Sequence, residues 1–106
     1  MITTEKIEAF RSLLQKQQIE RLKKDNLDCQ TNIDNSVTYI KPGRKYTKVD
    51  VGGSGKYMVV NETGEIFGIK AYGVIHRGHK YGTLDTINDF YWGYYKAYRL
   101  SQSSKR

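Results

Sequence analysis

Two short segments of this chain carry side chains that could do chemistry at close quarters. In VIHRGHKYG, residues 74–82, His76 and His79 stand three apart, with Arg77 and Lys80 beside them around Gly78. Histidines at that spacing can ligate zinc, and one could act as general base beside a carboxylate-held metal in a nuclease. Both readings lack partners: the single cysteine, Cys29, is remote, Asp50 and Asp85 are scattered, and no paired ligand spacing completes a set. The cluster is read as an anion contact, several donors around one glycine, with no catalytic residue, metal or other cofactor expected. The second segment, GGSGK at 52–56, invites comparison with a phosphate-binding loop. That loop needs a glycine five places before its last glycine and Ser or Thr after its lysine, where this chain has Asp50 and Tyr57. GGSGK is therefore read as a hairpin turn between strands.

A third pattern comes from alternation. In a strand, residues two apart share a side, so Tyr39 pairs with Lys41 and Tyr46 with Lys48, each a ring next to an ammonium group. Rings can stack on bases while ammonium groups meet phosphates, the division of labour used for single strands. Charge distribution points the same way. Residues 1–36 are neutral, whereas residues 37–106 hold twelve basic groups against five acids and carry the whole net charge of +7. All ten glycines, all nine tyrosines and Trp92 also fall in the second part. That sign disfavours an acidic mimic of DNA, and a basic, aromatic surface suits phosphate neutralisation and stacking.

The elements that must position these residues follow from period. Ile7, Phe10, Leu13, Leu14 and Leu22 lie on one side of an amphipathic helix over 4–25, capped by Thr3 or Thr4. DNLDCQTNIDNS lacks apolar periodicity and is read as a loop over 26–36. From Val37 the period becomes two, and short glycine-punctuated runs through residue 77 predict an antiparallel meander. Helix and sheet each need the other as cover, an α+β fold with Val49, Val51, Phe67 and Ile69 expected against Phe10 and Leu14. Residues 83–100 are aromatic. Thr86 with Asp89 has the form of a capping box, and Ile87, Tyr94 and Tyr98 follow helical spacing, so a short helix or turn is expected, then a mobile tail at 101–106. At 106 residues, with 38% hydrophobic and 27% charged, the chain holds one domain, residues 1–100. No apolar run approaches a membrane span and MITTEKIEAF lacks signal-peptide order, so a cytoplasmic protein with no membrane partner is expected.

Residues 41–95, with the words SGKYMV, TGEIFGIK, YGVIHRGHKYGTLDTI and YWG, resemble a family of small bacteriophage and phage-like accessory proteins. The resemblance covers about half the chain, leaves out the amino-terminal helix and carries no catalytic residue with it. It implies a phage accessory role in the host cytoplasm, one that touches nucleic acid or interferes with host defence. The reading is a non-enzymatic protein that binds nucleic acid, single-stranded and with little sequence dependence. Its expected contacts are Tyr39, Lys41, Arg44, Tyr46, Lys48, Lys56, His76, Arg77, His79 and Lys80. The alternatives are an inhibitor that docks on a nucleic-acid-processing host complex, in the manner of anti-CRISPR proteins, and a minor virion component.

Overall fold

The computed structural model describes residues 3–93 and 97–100. Its first element is helix α1, Thr4–Lys24. The Thr3 hydroxyl accepts the Lys6 N–H at 3.2 Å, and Arg21, Lys23 and Lys24 sit at the negative end of the helix dipole. Asn26 adopts a left-handed φ of 59°, which lets the Leu27 N–H turn back to the Leu22 carbonyl at 2.8 Å and stops the helix. The buried stripe is Ile7, Phe10, Leu14, Gln18 and Leu22, nearly a pure i, i+4 ladder. The expected loop over 26–36 is not all loop. A one-turn helix, α2, spans Gln30–Asp34, tied by the Gln30 amide to the Asp34 carboxylate at 2.8 Å.

Five strands follow, β1 Thr38–Pro42, β2 Tyr46–Val51, β3 Ser54–Val60, β4 Glu65–Ala71 and β5 Val74–Thr83. They form one antiparallel sheet in sequence order, covered on one face by α1, so the architecture is the expected α+β. The sheet runs on to residue 83 instead of ending at 77 because β5 is ten residues long and interrupted by irregular pairing.

On the helix side Phe10, Leu14, Val49, Val59 and Ile66 are buried around Trp92, whose ring lies 4.7 Å from that of Phe10 and 5.3 Å from that of Tyr57. Val51 packs against this core from its margin. Phe67 does not join it. Strand β4 has apolar residues on both parities, and the structure turns Ile66 and Gly68 toward the helix, leaving Phe67 on the opposite face, where Arg77 lies over its ring. Ile69 is likewise outside the helix-side core and closes over Gly55.

The capping box near the carboxyl end is shifted by three residues. Thr83 caps a 3₁₀ helix, Leu84–Asp89, and exchanges side-chain bonds with Thr86, so Thr86 is the inner member and Asp89 the last residue. Phe90–Tyr91 (β6) then pairs with Tyr98–Arg99 (β7), in place of a continuing aromatic helix. Trp92 is clamped between them and α1: its N–H donates to Gln17 Oε1 at 2.8 Å, its carbonyl accepts from Gln18 Nε2 at 2.6 Å, and its indole N–H donates to the Ile87 carbonyl at 2.9 Å. Tyr94 and the tail at 101–106 lie outside the described residues. Among the described residues no helix is long and apolar enough to cross a membrane.

Candidate nucleic-acid interface

The face of the sheet away from α1 is the candidate surface. Register sets Tyr39 opposite Asp50 and Lys41 opposite Lys48, then Lys48 beside Met58, Met58 beside Phe67, and Phe67 beside Lys80. Strand alternation thus brings both Tyr/Lys pairs to one face. The β4–β5 hairpin adds two more groups by reaching back across the sheet. At its tip Gly73 takes a φ of 79°, which allows a tight turn and lays Tyr72 over β2. Farther along, the Arg77 guanidinium lies 5.7 Å from the centre of the Phe67 ring and donates to the Tyr46 hydroxyl at 2.7 Å, spanning from β5 to β2. This strap explains why Met58 and Phe67 are buried on a face that no helix covers.

Two ammonium groups directly opposite each other, Lys41 and Lys48, would repel. Asp50 and Tyr72 hold them in place. Asp50 is 4% exposed; its Oδ2 accepts from the Tyr72 hydroxyl at 3.2 Å and lies 3.3 Å from the Lys41 ammonium. Lys41 also donates to the Tyr72 hydroxyl at 3.2 Å, and these contacts, Tyr72 first and Asp50 second, hold its pKa above the ordinary lysine range. Lys48 packs over the same ring, its nitrogen 4.9 Å from the centre. The other Asp50 oxygen, Oδ1, is buried without a hydrogen-bond partner. Lys80 is paired with Glu65 at 2.7 Å, and this contact, ahead of the Thr63 hydroxyl, lowers the Glu65 pKa. Lys48 and Arg77 are the face's cations with no ion pair to a carboxylate within the described residues.

No family model, curated protein or solved structure matches this chain. The site therefore stands on its geometry. Of the ten residues expected as contacts, Tyr39, Lys41, Tyr46, Lys48, Arg77 and Lys80 share the open face. Arg44 sits exposed in the β1–β2 turn, whose backbone carbonyls at Gly43 and Arg44 accept from the Asn61 amide.

Lys56, His76 and His79 are elsewhere. An extra residue in β3 between the partners of Val49 and Asp50 turns Lys56 to the helix side, near Arg21, and burial there, with Arg21 as a second cause, lowers its pKa. His76 and His79 stack on each other at 4.1 Å on that same side, beside Gly68 and Tyr81. Among the described residues no three His, Cys, Asp or Glu side chains gather as metal ligands. Sequence reasoning missed Tyr72 and the part Asp50 plays in holding Lys41. The Tyr72–Gly73 pair between two apolar runs is the signal for the first, as a two-residue hairpin turn. For Asp50 the signal is an acid at a strand position in step with Lys48.

Proposed function

We propose that the protein binds single-stranded nucleic acid on the open sheet face, with little dependence on sequence. The observation that carries this reading is the gathering of Tyr39, Tyr46, Tyr72, Lys41, Lys48 and Arg77 on one face without helix cover. Tyr39 and Tyr72 are each 51% exposed, so their rings offer stacking platforms flanked by cations. The Arg77 guanidinium on the face donates to the Tyr46 hydroxyl and lies over the Phe67 ring, contacts that compete with bidentate readout of base edges. In the phage setting implied by the sequence words, the protein acts as an accessory that coats or engages strands in the host cytoplasm.

A labelled oligothymidine titrated by fluorescence anisotropy across a salt series tests the reading. Each phosphate contact contributes about 0.7 to the slope of log affinity on log salt. Four cations in contact would give a slope of about −2.8, or roughly a fifty-fold loss between 50 and 200 mM salt. Lys48→Ala should remove about 0.7 of that slope, and Tyr39→Ala should cost about 1–3 kcal/mol with the slope kept. Absence of binding at low salt refutes the proposal.

A second reading, docking on a nucleic-acid-processing host complex, is favoured by Val74. That residue is exposed beside Tyr72 at the hairpin tip and has no use in binding phosphate. Pull-down with and without nuclease separates the two, because only protein docking survives digestion.

A further inference from the structure

The two segments that sequence singles out for anion chemistry, GGSGK and HRGHK, meet in space. Strands β3 and β4 share two register pairs, Met58 with Phe67 and Val59 with Ile66, and no register pair continues past Met58 toward Ser54. Gly55 and Lys56 on one bank face Gly68, His76 and His79 on the other, across a cleft of about 330 Å³. That volume lies within the range of small-molecule sites.

Two irregularities aim side chains into the cleft. The extra residue of β3 directs Lys56 there, and in β5 three residues, 77–79, are looped out between the partners of Phe67 and Gly68. The loop folds His79 back onto His76 with the ring planes only 7° apart. The Gly78 N–H donates to His76 Nδ1 at 3.2 Å, so in the neutral ring the hydrogen sits on Nε2 and that nitrogen is a donor. Glycine at 68 keeps the floor low, since a Cβ there would already touch His79 and Tyr81 at 3.4 Å.

We propose that this cleft binds a phosphate monoester through Ser54, Lys56, His76, His79 and Tyr81. All five can donate hydrogen bonds, and among the described residues no carboxylate lines the cleft. Burial keeps the Tyr81 hydroxyl protonated, and a dianion would relieve the cost of holding Lys56 charged beside Arg21. The inference does not rest on the open-face reading, because the cleft lies on the helix side of the sheet. A free mononucleotide and the 5′ end of a strand present the same group.

Calorimetric and NMR titrations of the whole protein with AMP, adenosine and two oligonucleotides, 5′-phosphorylated and 5′-hydroxyl, test it. AMP is expected to bind at least tenfold tighter than adenosine and to shift the ring resonances of His76 and His79. Lys56→Met, and independently His79→Asn, should each weaken AMP binding at least tenfold in a protein that still melts cooperatively. A tenfold gain for the phosphorylated oligonucleotide assigns the site to strand ends, and equal binding of the two assigns it to free mononucleotides. Equal binding of AMP and adenosine, or unmoved histidine resonances, overturns the proposal. So does unchanged AMP affinity in either folded variant.

Discussion

Phe10 and Phe67 are both nearly inaccessible, at 0% and 5% exposure, yet they lie on opposite faces of the sheet, and a double-mutant cycle can show this. Phe→Leu removes three carbons, which at about 0.8 kcal/mol per buried methylene is about 2 kcal/mol at each site. Phe10 is enclosed by α1, Tyr57 and Trp92, so its loss leaves a cavity and the cost should reach or exceed that figure. Phe67 is covered by the Arg77 guanidinium, a flexible side chain that can settle into the vacated space, so its cost should fall below 2 kcal/mol. Residues separated by the sheet share no partner, and the coupling energy should be within about 0.5 kcal/mol of zero. Urea denaturation followed by Trp92 fluorescence and by far-ultraviolet circular dichroism gives all four free energies. A coupling above about 1 kcal/mol would mean that both rings pack in one core, as the alternation of β4 first implies, and would refute the two-faced arrangement. The leucine variants keep the double mutant within the roughly 5–15 kcal/mol available to a domain, which alanine at both sites would not.

Gln18→Ala should destabilise by about 1–3 kcal/mol, because it leaves the Trp92 carbonyl buried without its donor; a midpoint unchanged in urea would show that the clamp is not structural. Lys56→Met should raise the melting temperature near pH 7, since it removes a charge whose folded pKa is lowered by burial and by Arg21. The sign follows from linkage. A lysine with a depressed folded pKa binds fewer protons when folded than when unfolded, so the wild-type protein gains stability as pH rises between the lowered folded pKa and about 10.4, and the variant should lose that gain. Identical pH profiles would refute the assignment.

Much of the fold was legible because α1 and the strands have separate periods. The i, i+4 ladder from Phe10 to Leu22 needed only helical spacing, and its Gln18 step, polar in sequence, is buried because Trp92 supplies a backbone partner from 74 residues away. The face assignment of β4 was not legible. EIFGIK is apolar on both parities, and the choice is made by tertiary contacts, with Gly68 accommodating Tyr81 and His79 on the helix side and Arg77 covering Phe67 on the other. Within the candidate face the Tyr39/Lys41 and Tyr46/Lys48 pairs were legible because β1 and the first part of β2 pair without irregularity. Lys56, His76 and His79 lie away from that face for the opposite reason. Lys56 is the one extra residue of β3, residues 77–79 are looped out between His76 and Lys80 in β5, and an odd number of extra residues reverses the side that simple alternation would assign.

Those same irregularities restrict how any partner can engage the sheet. Addition of a strand needs a free edge with regular N–H and C=O groups. The β1 edge ends at Pro42, which has no N–H, and the β5 edge is broken by the looped residues 77–79. Both edges are therefore poor templates for a further strand. Recognition is left to side chains on the two faces, and the β5 loop connects them: Arg77 projects to the open face while His76 and His79 project into the cleft. A strand lying on the tyrosines and passing around this edge would bring a terminal phosphate toward Lys56. Shortening the loop by deleting Gly78 would then uncouple the two surfaces. It should abolish any preference for a 5′-phosphate while salt-dependent binding through Lys41 and Lys48 persists. Retention of the preference in the deletion variant would show that the cleft reads its ligand without the β5 loop.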